Sequence, residues 1–452
     1  MPFGIFFENN KKRNNMKISD KIYSLSQIYT NAKIVFPYFD RIKYDMDQKY
    51  IEYIEKMAST TNNKDYILYL LEFISLYNDG HTDITLPMDI KRLYGFLPFE
   101  ILQIQNDFYI KSKAETIDIP LYSKIESINN TSIYTMVENL KKYTHTSNGY
   151  FYKGKLESLI PLFINYKNNT IKTDKGMHTF DLSDMPYVLQ GKNLELKKPK
   201  RTLLKIPNLE FSTIENIAYL KIDTFSDATI IQKVMNILTK INNVSSIIID
   251  IRENNGGMSS YASKIAGLFI DGEFSSSKKR TRIIKGIDYA SASQYKRFSQ
   301  DRIKELLITK LTTKEELEKA NLINKNLSFD YYVDSYVGNK RFDIPLILLT
   351  SKNTISASED FVLMLKNYPK CIVIGTETYG STGTPLMLDL PFNIKARICS
   401  VGYQALDGTD FINKGIKPNL QKGLTIEDYR QNYDRVLDLA VEFIKRRILA
   451  KR

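Results

Sequence analysis

Tryptophan is absent from the 452 residues, cysteine occurs twice and histidine three times. No apolar run approaches the length of a membrane-spanning helix. Two cysteines, Cys371 and Cys399, build neither a disulfide framework nor a cysteine metal site, and their apolar surroundings read as buried free thiols. No metal and no cofactor is implied. The opening segment MPFGIFFENNKKRNNMK puts a short apolar patch before its basic residues. A secretory signal has the opposite order and a longer apolar core, so a cytoplasmic protein is expected. Scarce histidine confines imidazole chemistry to His81, His145 or His178. The last two lie in polar stretches and read as surface residues.

What is present describes a soluble globular protein of two to four domains. Hydrophobic residues make up 43% and charged residues 25%. The net charge of +13 comes from lysines and arginines spread along the chain, with no dense basic stripe interleaved with aromatics. It reads as a solvated surface rather than a nucleic-acid site.

The expected fold is multidomain α/β. Residues 1–92 read as an N-terminal helical domain carrying His81, because KISDKIYSLSQIYTNAKIVF and KDYILYLLEFISLYN place apolar residues at three- and four-residue spacings. Residues 93–200 read as a mixed α/β module and linker, with the lysine-rich KNLELKKPKRTLLK as a linker or exposed crossing. From residue 201 to 425 strands and helices alternate, which predicts a mainly parallel sheet with right-handed crossovers. A charged insertion over 275–340 interrupts it. Residues 426–452 supply a last helix behind the Thr425-x-x-Asp428 capping box.

Three stretches fall at strand ends of that sheet, where ligands of open α/β sheets bind. Asp250-Ile-Arg-Glu-Asn-Asn-Gly256-Gly257 follows a buried strand, and its paired glycines free backbone amides to face an anion. Thr378-Tyr-Gly-Ser-Thr-Gly-Thr-Pro385 is another glycine-rich turn. Between them, IPLILLTSKNTISASE puts Ser356 where a strand hands over to a helix. Such a position exposes a hydroxyl beside unpaired amides and the positive helix end, as a serine nucleophile and its oxyanion need. Ser356-Ala-Ser-Glu359 also fits a helix-capping box, a purely structural use of the same serine. His81, in Asn-Asp-Gly-His-Thr after a helix, has two readings as well: a general base, or a side chain that complements a helix end.

IAYLKIDTFSD, IIIDIRENNGG, ILLTSKNTISASEDF, VIGTETYGSTGTP and DGTDFINKGIKPN occur in an order and spacing that resemble the serine peptidase family of tail-specific (C-terminal-processing) proteases, the tricorn core and the retinoid-binding-protein repeats. The resemblance covers most of residues 17–425 and is weak over 151–210 and 275–340. It implies a core sheet of the tail-specific protease and ClpP-crotonase-like type, and a PDZ-like module over GFLPFEIL to SINNTSIYTMVENLKKY. It makes Ser356 the nucleophile and assigns the oxyanion hole to the amides of Ala357 and of the Gly256-Gly257 turn. In the tail-specific branch a lysine base lies 25 positions after the serine; here that position is Ser381. The NDGHT stretch resembles the branch that uses histidine, which points to His81. The tricorn-type glutamate falls on Ile412, so the third member stays open among Asp410, Asp79 and Glu359. The implied activity is hydrolysis of peptides or unfolded proteins. A peptide- or ligand-binding protein on the same scaffold is the alternative that the missing lysine and glutamate keep open.

Overall fold

The computed structural model describes residues 16–192, 194, 201–239, 244–282 and 286–449. The opening segment to residue 15, half of the lysine-rich crossing and the last three residues of the basic tail lie outside them.

The core is a seven-stranded sheet whose spatial order is also its chain order: β1 (Arg201–Ile206), β2 (Leu209–Ile214), β3 (Ile217–Ile222), β4 (Ser246–Asp250), β5 (Leu346–Thr350), β6 (Cys371–Gly375) and β7 (Leu420–Gln421). The first three strands form an antiparallel meander, and β3 to β7 are parallel. Every residue of β4 and β5 is buried, as expected of central strands covered on both faces. Alternation of side chains divides them: Ile247, Ile249, Leu346 and Leu348 enter the large core, while Ile248, Ile347 and Leu349 pack with Val436, Leu437, Ala440 and Val441 of the C-terminal helix Arg435–Leu449. The right half of the supposed linker is β1. Its residues are almost all exposed, because an edge strand packed on neither face carries no apolar alternation to reveal it.

The insertion is less irregular than its composition suggests. Ser277–Arg282 pairs antiparallel with both Phe329–Val333 and Val401–Ala405, and the helices Gln300–Ile308 and Lys314–Asn324 lie between the first two of these strands.

Residues 18–75 form three helices, Ile18–Val35, Met46–Ser59 and Asn63–Ser75, the second capped by Asp45 and the third by Asn62. The chain then crosses to the core. Asp83–Thr85 pairs antiparallel with Lys395–Cys399, Asp83 opposite Arg397. Asn413 Nδ2 donates to the Asn78 carbonyl and the Tyr403 amide to the Tyr38 hydroxyl. This pairing brings the residues after the third helix to the carboxyl ends of the core strands.

Arg252 fixes the C-terminal helix to the sheet. Its guanidinium donates to Asp250 (2.9 and 2.6 Å) and to Asp434 (2.9 and 2.7 Å), and Tyr219 adds a bond to Asp250 Oδ2. Both carboxylates are buried. Removing one partner of such a group strands a charge, so Arg252→Ala should lower unfolding stability by roughly 3–5 kcal/mol in urea denaturation. A loss below about 1 kcal/mol would mean that water replaces the guanidinium.

Candidate active site

Ser356 precedes the helix Ala357–Leu365 and follows the turn out of β5. Its backbone stands at φ 62° and ψ −128°. A non-glycine residue pays steric strain there, and such strain concentrates where a side chain must be aimed. The Glu359 carboxylate reaches back to the Ser356 amide at 3.3 Å, as a capping box requires. The Ser356 hydroxyl oxygen lies 3.0 Å from His81 Nε2, across 275 residues of chain.

His81 is fastened through its neighbours. The Asp79 carboxylate accepts from the His81 amide (3.0 Å) and the Thr82 hydroxyl (2.8 Å). Arg397 donates to the Gly80 carbonyl at 3.0 Å and to Asp83, which also receives Lys155 Nζ at 2.9 Å. Burial works to raise the Asp83 pKa, but Lys155 and Arg397 together hold it below the ordinary carboxylate range. Burial pushes Asp79 up to about 6.

Burial, and next the Arg397 cation, lower the His81 pKa to about 3. A depressed imidazole pKa extends the neutral, proton-accepting form to lower pH. In an NMR titration His81 should therefore stay neutral at pH 5, where an ordinary histidine is about 97% protonated. A midpoint near 6.5 would contradict the burial on which this rests.

Gly256 makes room for the nucleophile. At φ 95°, a Cβ there would lie 2.7 Å from Ser356 Cβ and 3.0 Å from the Ala357 nitrogen. Its amide is not free: it donates to Asn254 Oδ1 at 2.9 Å, and Asn254 Nδ2 donates to the Ile222 carbonyl. The expectation that Gly256 offers an oxyanion donor is thus corrected. Among the described residues the amides of Gly257 and Ala357 have no hydrogen-bond acceptor, the second because it opens a helix.

The three candidates for the third position are not at the imidazole. Asp410 is one-third exposed and paired with Arg41 (3.3 Å) and Lys414 (3.6 Å), so that candidate is corrected. Asp79 serves the His81 backbone rather than its ring. Glu359 is buried and accepts from Thr378 Oγ1 and the amides of Gly380 (2.7 Å), Ser381 (2.8 Å) and Ser356. Burial pushes it up to about 7 against these donors. Facing His81 Nδ1 is Ser381 Oγ, at 2.7 Å. Ile412, where a glutamate was sought, is buried and apolar.

His145 is also corrected. It is buried, with Nδ1 3.2 Å from Asn78 Oδ1 and its ring edge-on to Tyr379. Its threonine neighbours hid this, because a tertiary contact and not local sequence buries it. Asp360 was not singled out either. It is buried and accepts from Ser259 Oγ (2.6 Å) and Thr382 Oγ1 (3.1 Å), tying the loops on either side of Ser356 to one helix turn.

Residues 216–421 match Peptidase family S41. The "Probable CtpA-like serine protease" of Staphylococcus haemolyticus (strain JCSC1435) is 22% identical over 231 residues, which cover 51% of this chain and 37% of that protein. The protein of the same name from Staphylococcus epidermidis (strain ATCC 35984) is 24% identical over 224 residues, 49% of this chain and 37% of its own. The chain thus spans under two-fifths of the length of these relatives. The crystal structure of mature CPAF superposes with a TM-score of 0.68 over 95% of this chain and 98% of that one, at 15% identity. That likeness extends the common α/β fold well beyond the S41 segment. No group of three or more potential metal ligands, and no helix long and apolar enough to cross a membrane, occurs among the described residues.

Proposed function

We propose that the chain is a serine-type peptidase acting on peptides or unfolded proteins, as an endopeptidase or at free C-termini. The observation that carries this reading is the 3.0 Å approach of Ser356 Oγ to His81 Nε2 at a strained strand-to-helix turn. The S41 match of the segment holding Ser356 supports it.

In this reading the Ser356 oxygen attacks the scissile carbonyl carbon while its proton passes to His81 Nε2. The carbonyl π pair moves to oxygen, which receives hydrogen bonds from the Gly257 and Ala357 amides. The tetrahedral intermediate collapses, the carbon–nitrogen bond breaks, and His81 returns the proton to the leaving amine. Water then gives one proton to His81 and attacks the acyl-enzyme, and His81 reprotonates Ser356 as the acid product leaves. Preorganisation supplies the rate: strain and packing aim the hydroxyl, and the buried imidazole is neutral at working pH.

The same reading keeps the helical, PDZ-like and peptidase units as divided above, and a cytoplasmic location. The test is hydrolysis of casein by the full chain. Release of peptides at a rate that saturates with substrate is the expected result. A folded chain inert on casein and on peptide libraries would favour the binding-scaffold reading, which the serine at 381 and the isoleucine at 412 also motivate.

A further inference from the structure

The Ser356–His81 pair leaves one question open, namely what holds the imidazole in the tautomer that a base needs. We propose that Ser381 is the positioning residue, accepting the Nδ1–H of His81 so that the Nε2 lone pair faces Ser356, and that Glu359 holds Ser381 in place. This inference rests on the peptidase reading of the same site.

Ser381 and His81 are both buried, and their polar atoms meet at 2.7 Å. Among the described residues no carboxylate reaches Nδ1. Asp79 is engaged by the His81 amide and Thr82, Asp83 by Arg397 and Lys155, and Asp410 by Arg41 and Lys414. Ser381 is coupled to the nucleophile through the backbone. Its carbonyl accepts from the Ser356 amide at 2.9 Å, and Glu359 Oε2 accepts from the amides of both residues. A single buried carboxylate thereby sets the spacing between the nucleophile and the group behind its base. Gly80 completes the fit: a Cβ there would lie 2.6 Å from Ser381 Oγ, so a side chain before His81 would push the hydroxyl away.

A carboxylate only accepts, whereas a hydroxyl can donate or accept, so Ser381 selects the Nδ1–H tautomer by directing its own proton away from His81, and it brings no negative charge to the imidazolium. Ser381 is therefore expected to act on geometry. Ser381→Ala should lower kcat on casein roughly 10- to 100-fold with KM nearly unchanged.

The deciding readout is the tautomer itself. Full-length protein labelled with ring-¹⁵N histidine gives three imidazoles, assigned by single substitutions. At pH 7 wild-type His81 should carry its proton on Nδ1, and in folded Ser381→Ala that population should fall to a mixture. Glu359→Gln, which turns an amide group towards amide donors, should shift it in the same direction. A proton on Nε2 in the wild type would overturn the proposal without any variant, as would folded Ser381→Ala with tautomer and kcat unchanged. The two readings separate cleanly. An inert chain whose Nδ1–H is lost in Ser381→Ala would refute the peptidase and support the positioning contact. An active enzyme with Nε2–H would do the reverse.

Discussion

Ser356→Ala should reduce kcat for casein by about 10⁶-fold, to the level that binding and the oxyanion amides sustain alone. The substitution deletes one oxygen, and that oxygen faces His81 Nε2. The groups that shape the turn act on the backbone: Glu359 on the Ser356 amide, and the Ser356 amide on the Ser381 carbonyl. Alanine keeps the Cβ already tolerated at φ 62°. Stability should therefore change by no more than about 1 kcal/mol, and circular dichroism should match the wild type. A folded variant that retains more than about 1% of activity would remove Ser356 from the chemistry.

His81→Ala should cost nearly as much in kcat, about 10⁵- to 10⁶-fold, since nucleophile and base act as a unit. Among the described residues, His81 is the only side chain within hydrogen-bond distance of the Ser356 hydroxyl. His145 faces Asn78 and Tyr379, and the ammonium of Lys352 is 3.8 Å from Glu377. The position 25 residues beyond Ser356 holds Ser381 and not a lysine. The variant leaves a void near Ser381 and Gly383 and should lose about 1–3 kcal/mol of stability. Thermal unfolding is thus measured beside the kinetics. Loss confined to KM would show that His81 binds substrate and does not move a proton.

Legibility followed the range of the interaction. The parallel strands were readable because SIIID and LILLT carry unbroken apolar runs, residues 247–249 and 346–349, a pattern that burial on both sheet faces imposes locally. The position of Ser356 at a strand-to-helix turn was readable for the same reason. The edge strand Arg201–Ile206 was not, since its lysine and arginine satisfy a solvent-facing strand as well as they do a linker. Which glycine amide is free was equally hidden: the choice depends on Asn254, whose side chain folds back onto Gly256. Asp410 was a candidate by its place beside a motif, yet Arg41, 369 residues away, holds it elsewhere. Ser381 entered the sequence reading only as the place where a lysine is missing. Its contact with His81 spans 300 residues and leaves no local pattern. His145 shows the converse error, polar neighbours around a buried ring. Sequence patterns thus located the loops that converge, and tertiary packing decided which atoms meet.

The most direct test of the central claim is covalent labelling by a serine-directed phosphonate at pH 7, read by intact and peptide mass spectrometry. It needs no knowledge of the substrate. The account predicts one adduct, on Ser356, absent from Ser356→Ala and formed at least about 100-fold more slowly in His81→Ala. A folded wild-type chain that takes up no phosphonate, or that is labelled on Ser356 equally fast without His81, would contradict it.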